Sequence, residues 1–117
     1  MLTIREEQLR AFRKVEVQKF VEQAAFHVGK FFPKQCQELG HDKLRELIRD
    51  GIQSGSQYGI TAKAHVLKYI DLTVLFGRDF DVNPELPWAA ETLKSANRPD
   101  AKIESLMSQA RKYLRKR

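Results

Sequence analysis

The stretch Ile60–Gly77, ITAKAHVLKYIDLTVLFG, decides the fold class. Val66, Leu67, Ile70, Val74 and Leu75 recur at helical spacing, whereas a strand would alternate every second residue. The spacing predicts a helix capped by Thr61 and ended by Gly77. It is the most apolar helical segment of the chain, so it is expected to lie centrally, with other helices packed around it.

Working outward, the same period continues on both sides. HDKLRELIRDGIQSGSQYG, His41–Gly59, predicts a helix with Leu44, Leu47, Ile48, Gly51, Ile52, Gly55 and Tyr58 on one side and Gly59 at its end. Before it, PKQCQELG reads as a short helix with Pro33 in the first turn and Gly40 as the cap. Thr3 and Glu6 form a capping box for a long first helix, about Ile4 to Phe32, with a bend near Gly29 and a stop at Pro33. Its apolar positions are Leu9, Phe12, Val15, Phe20, Ala24 and Phe31, with Val17, Val21 and Val28 widening the stripe. The adjacent Phe31 and Phe32 suggest a buried corner. After Gly77, a short helix is expected from Pro87 or Trp88 to about Asn97. A last one, about 100–117, should be capped by Asp100 and carry Ile103, Leu106, Met107, Ala110 and Leu114 as its stripe. The expectation is a compact all-α bundle of five to six helices with a long N-terminal helix, forming a single helical domain over residues 1–117.

Composition narrows the functional classes. Hydrophobic residues make up 42% and charged residues 31% of the 117, which suits a folded domain rather than a disordered one. No uncharged apolar run approaches the roughly 18 residues of a membrane span, so no membrane role is expected. Arg5, Glu6 and Glu7 stand where a signal peptide would need its apolar core, and a cytoplasmic location is expected. Cys36 is the lone cysteine and forms no internal disulfide. The net charge of +6 is uneven: residues 98–117 hold seven basic and two acidic side chains, while residues 1–97 hold 14 and 13. The excess sits on the segment ending RKYLRKR, with Arg111, Lys112, Arg115, Lys116 and Arg117 around Tyr113. Such an end suits an acidic partner, nucleic acid or a membrane surface. Basic residues also complement the negative end of a helix dipole.

GRDFDVNPELPW, Gly77–Trp88, places Asp79, Asp81, Asn83 and Glu85 at alternate positions, as a calcium loop begins. With Asp79 as the first loop position, the sixth falls on Pro84 and the twelfth on Ala90. The loop needs a glycine and a bidentate glutamate there. No metal site is expected. Asp79, Phe80, Asp81, Asn83, Leu86, Pro87 and Trp88 are read instead as a structural loop. Asp81 and Asn83 would make Asx-turns, and Leu86 and Trp88 would be apolar anchors. Gly51, Gly55 and Gly59 form a row spaced four apart. Interior helical glycines cost about 1 kcal/mol each relative to alanine, so the row predicts a close helix crossing, either inside the domain or against a partner.

No catalytic residues are expected. His27, His41 and His65 make no metal-binding or catalytic spacing, Cys36 has no adjacent base, and no phosphate loop or nucleophile elbow occurs. No cofactor is expected either. Lys63 and Lys68 would begin a recognition helix, but the segment then becomes too apolar to read bases. The reading is a protein-binding factor, with Gly51, Gly55, Tyr58, Arg111, Lys112, Tyr113, Arg115, Lys116 and Arg117 as candidate contact residues. The alternatives are a nucleic-acid-binding regulator using the basic helix, or an immunity protein that binds a toxin.

The segments MLTIREEQLRAF, FP then LG ahead of the third helix, YGI, YIDL, FGRDFD and LPWA follow one another over residues 1–93. In these the chain resembles small bacterial proteins encoded beside type VI secretion spike proteins of the PAAR kind, their effector adaptors and toxic effectors. Tyr58, Gly59, Tyr69, Asp71, Gly77, Asp79, Phe80, Asp81, Leu86, Pro87 and Trp88 match that pattern. The resemblance implies a non-enzymatic, co-chaperone-like accessory factor. Its partner would be the effector-adaptor chaperone or the effector, during effector loading. The basic C-terminal helix lies outside the resemblance.

Overall fold

The computed structural model describes the backbone of residues 6–116 and the side chains of residues 16–116. Six helices and no strand occur among them: α1 Glu6–Phe31, α2 Pro33–Leu39, α3 His41–Gln57, α4 Lys63–Phe76, α5 Pro87–Lys94 and α6 Pro99–Lys116. The protein is therefore all-α, as the periodicity requires. The Thr3 cap and Arg117 lie outside the described residues, as do the side chains of Leu9, Phe12 and Val15. No helix among the described residues is long and apolar enough to cross a membrane. The chain divides into two units, one ending at Arg45 and the other running from Glu46 to Arg117.

In the first unit Val21, Ala24 and Val28 are buried among the described side chains of α1, with Leu44 buried on α3. Ala24 of the expected stripe is thus buried, and so are Val21 and Val28, which were expected only to widen it. Val17 is exposed. The buried Phe–Phe corner is not formed: Phe31 is 60% exposed and only Phe32 is partly covered. Phe31 is the last residue of α1 and stacks back on its own helix, with its ring 4.9 Å from that of His27. α1 stops because Pro33 disfavours the helical conformation in the residue before it. Phe32 accordingly has φ −133 and ψ 57, and Pro33, which lacks an N–H, opens α2. Gly40 ends α2 at φ +82, donating its N–H to the Cys36 carbonyl at 2.9 Å. Arg45 grips Glu22 with two guanidinium hydrogen bonds of 2.8 and 2.7 Å, tying α3 to α1 within this unit.

In the second unit α4 buries Val66, Tyr69, Ile70, Leu72 and Thr73. The expected face was displaced: Leu75 is 37% exposed, and Tyr69, Leu72 and Thr73 replace it. A helix apolar on most sides does not identify its own inner face. The N-cap position is Ala62 rather than Thr61 and has no side-chain cap. Gly77 ends α4 at φ +102 with its N–H on the Thr73 carbonyl, 2.9 Å away. At the end of α3, Gly59 takes φ +80 and the Ile60 N–H reaches back to the Gly55 carbonyl, 2.9 Å. This is a left-handed glycine cap followed by a buried apolar residue. α5 opens as α2 does, with Leu86 at φ −122 and ψ 62 before Pro87. It ends at Lys94, short of the expected Asn97. α6 buries Ile103, Leu106 and Ala110. It starts at Pro99, so Asp100 lies inside its first turn instead of capping it. Leu114, expected in the stripe, is 43% exposed, because after Ala110 only Tyr113 is partly covered.

Candidate binding site

The candidate contact residues fall in two places of the Glu46–Arg117 unit, and the fold treats them differently. Gly51 and Gly55 are buried. A Cβ on Gly51 would lie 3.3 Å from Ile70 Cγ1, and one on Gly55 would lie 3.5 Å from Tyr69 Cδ1. The glycine row therefore lets α3 approach α4. It is spent inside the unit, which removes Gly51 and Gly55 from any surface a partner could touch.

Tyr58, one turn on, is also engaged. Its hydroxyl donates to Asp81 Oδ2 at 2.6 Å. Burial and that carboxylate push its phenol up to about 12. Tyr69 shares a 2.7 Å hydrogen bond with Ser54 Oγ, and burial raises its pKa as well. The Tyr69 ring lies 5.1 Å from that of Phe80, which is buried in the loop after α4.

This is how the alternating acidic stretch is used. Asp81 holds Tyr58 and does not form the expected Asx-turn, while Asn83 does form one, with Oδ1 accepting from the Glu85 N–H at 2.9 Å. Leu86 is buried and Asp79 is exposed. Arg78 fastens the loop to α3 through Asp50, 2.9 Å away. Among the described residues no group of three or more His, Cys, Asp or Glu side chains could hold a metal ion. Cys36 is partly covered, and burial raises its thiol pKa, the reverse of what an activated nucleophile needs.

The second place is the pairing of α5 with α6. Trp88, expected to anchor the loop, stands at the second position of α5 and is partly buried. Its ring packs edge-on to Phe76 at 5.7 Å and lies 6.1 Å from Tyr113. Phe76 and Tyr113 are 5.8 Å apart. Edge-to-face rings at these separations add to their area burial. Alongside this trio a polar clamp fixes the two helices. Gln109 Nε2 donates to Thr92 Oγ1 at 2.9 Å and to Ser105 Oγ at 3.0 Å, and Thr92 Oγ1 donates to the Trp88 carbonyl at 2.7 Å.

Between the clamp and the end of α6 lies a shallow groove of about 220 Å³ lined by Trp88, Gln109, Lys112, Tyr113 and Lys116. Lys112 and Lys116 are one turn apart on α6, and both are exposed. Arg111 and Arg115, also exposed, continue the positive charge around the helix. The Trp88 indole N–H is buried with no hydrogen-bond partner.

The structure thus joins Trp88, read as a loop anchor, to Lys112, Tyr113 and Lys116, read as contact residues. Gln109 and Phe76 were missed. Their apolar and amide side chains carry no signal until α5, α6 and the end of α4 are brought together. No protein-family model matches the chain, and neither does any curated protein or any solved structure.

Proposed function

We propose that the chain is a non-enzymatic accessory factor that works by binding another protein through the basic end of α6. The observation that carries this reading is the display of Arg111, Lys112, Arg115 and Lys116 as exposed side chains around a partly covered aromatic, Tyr113. Protein interfaces are enriched in aromatic residues and arginine and have a polar, solvent-accessible rim. The rim charges speed encounter with an acidic partner more than they deepen affinity. The resemblance in residues 1–93 supplies a setting: a co-chaperone-like factor holding an effector adaptor, or the effector, during loading for type VI secretion.

The test is co-expression with the products of the genes neighbouring its own. A complex that survives gel filtration is expected. Deleting residues 111–117, or the milder pair R111E and R115E, should weaken it mainly at low salt. A chain that stays alone beside each of those products, yet shifts a DNA fragment at physiological salt, would make the regulator reading the better one.

A further inference from the structure

We propose that the groove between α5 and α6 seats a short acidic–apolar peptide segment of the partner, a proposal that rests on the protein-binding reading. One apolar side chain lies against Trp88 and Tyr113, and a neighbouring carboxylate lies between Lys112 and Lys116.

Three observations set the chemistry of the occupant. The first is size. At about 220 Å³ the groove falls below the roughly 300–1,000 Å³ of pockets that enclose whole small molecules, so it fits a side chain and its flanking backbone. The second is the lining. Aromatic surface from Trp88 and Tyr113 makes one part, while Lys112 and Lys116 bring only hydrogen-bond donors and positive charge to the rim. An apolar group adjoining an anion complements both. The third is rigidity. The Gln109–Thr92–Trp88 hydrogen bonds and the Phe76–Trp88–Tyr113 ring packing hold the wall in place before anything binds, and a preformed wall lowers the ordering cost of association.

A peptide is favoured over nucleic acid by the spread of charge. Residues 1–97 carry 14 basic and 13 acidic side chains, so nearly all the net positive charge belongs to residues 98–117, whereas a phosphate-backbone binder needs a larger basic excess.

Trp88 is the only tryptophan in the chain and lines the groove, so its emission reports occupancy directly. The probes are a Trp-free peptide alternating leucine or phenylalanine with aspartate or glutamate, the same peptide with lysine for its acids, and the same with serine for its apolar residues. The acidic–apolar peptide should change Trp88 emission saturably, and the two controls should not. The double variant K112E/K116E should bind it at least ~10-fold more weakly, in the range seen for charge pairs across interfaces, while its far-UV circular dichroism stays that of the parent.

Equal responses to all three peptides, no response to the acidic–apolar one, or unchanged binding by K112E/K116E would overturn the proposal. So would displacement of the peptide by a DNA duplex at physiological salt. A co-expressed complex that persists undiminished in K112E/K116E would sink the groove while leaving the protein-binding reading standing. Peptide binding without any complex would support the groove and count against the partner setting.

Discussion

The two ends of the Glu46–Arg117 unit handle their aromatic and polar groups in opposite ways. Where α3 crosses α4, the groups are matched: Tyr58 with Asp81, Tyr69 with Ser54, and Phe80 beneath the Tyr69 ring. Where α5 meets α6, the backbone is clamped just as firmly by Gln109 and Thr92. Yet the indole N–H of Trp88 is unmatched, two lysines stand open and the surface is concave. The first end spends its side chains on stability. The second leaves a buried indole N–H unpaired and two lysines exposed. Buried polar groups are normally paired, and the Trp88 indole N–H stands out against the matched groups of the other end.

The severest way to break this contrast is to empty the closed end. Phe80→Ala removes a buried ring from beneath Tyr69 and should cost about 3–5 kcal/mol in denaturant melts. A loss below about 1 kcal/mol, typical of surface positions, would show that the loop is not a structural anchor. Trp88→Ala tests the open end in the same assay. It should cost about 3 kcal/mol, since the ring is only partly covered. A loss below about 1 kcal/mol would show that the Trp88 ring does not anchor α5 to its neighbours.

Next comes the hydrogen bond of the closed end. Asp81→Ala leaves the partly buried Tyr58 hydroxyl without its acceptor and should cost about 1–2 kcal/mol. Burial of the Tyr58 phenol, reinforced by the same bond, also gives a pH dependence. The folded-state pKa of Tyr58 is raised from an ordinary 10.0 to about 12, so folding favours the neutral phenol. Its contribution is complete below about pH 10, the ordinary phenol value. It is lost as pH rises through about 12. Tyr58→Phe should remain flatter across that alkaline window. An identical alkaline fall in parent and variant would remove Tyr58 from the cause. The smallest expected effect is at the rim: Lys112→Ala and Lys116→Ala should each leave stability within about 0.5 kcal/mol. A larger loss in melting would show that these lysines serve the fold.

Much of this architecture could be read from local chemistry. Pro33 and Pro87 open helices, Gly40, Gly59 and Gly77 close them, and the Asn83 turn forms where the sequence places it. Each of these depends on one residue and its immediate neighbours, through a fixed φ, a left-handed conformation or a side chain reaching two residues on. Inner faces were harder to read. The α4 face is turned toward Tyr69 and Leu72, and Leu114 continues its stripe in phase yet stands exposed. Periodicity tells which residues share a side, and only the neighbouring helix decides which side is covered and for how many turns.

The candidate site divides along the same line. The sequence by itself determined that α3 has a surface small enough for close approach, that Trp88 follows a shaped loop, and that positive charge gathers at the end of α6. These are properties of residue type and spacing. Tertiary structure alone decided that the glycine row closes on Ile70 and Tyr69, that Asp81 answers Tyr58, and that Trp88 and Tyr113 share a wall with Lys112 and Lys116. Those pairings join residues from 14 to 28 positions apart in the chain, and no local preference encodes a contact at that separation. It is set by which packing of the helices buries the most apolar surface while leaving the fewest polar groups unpaired.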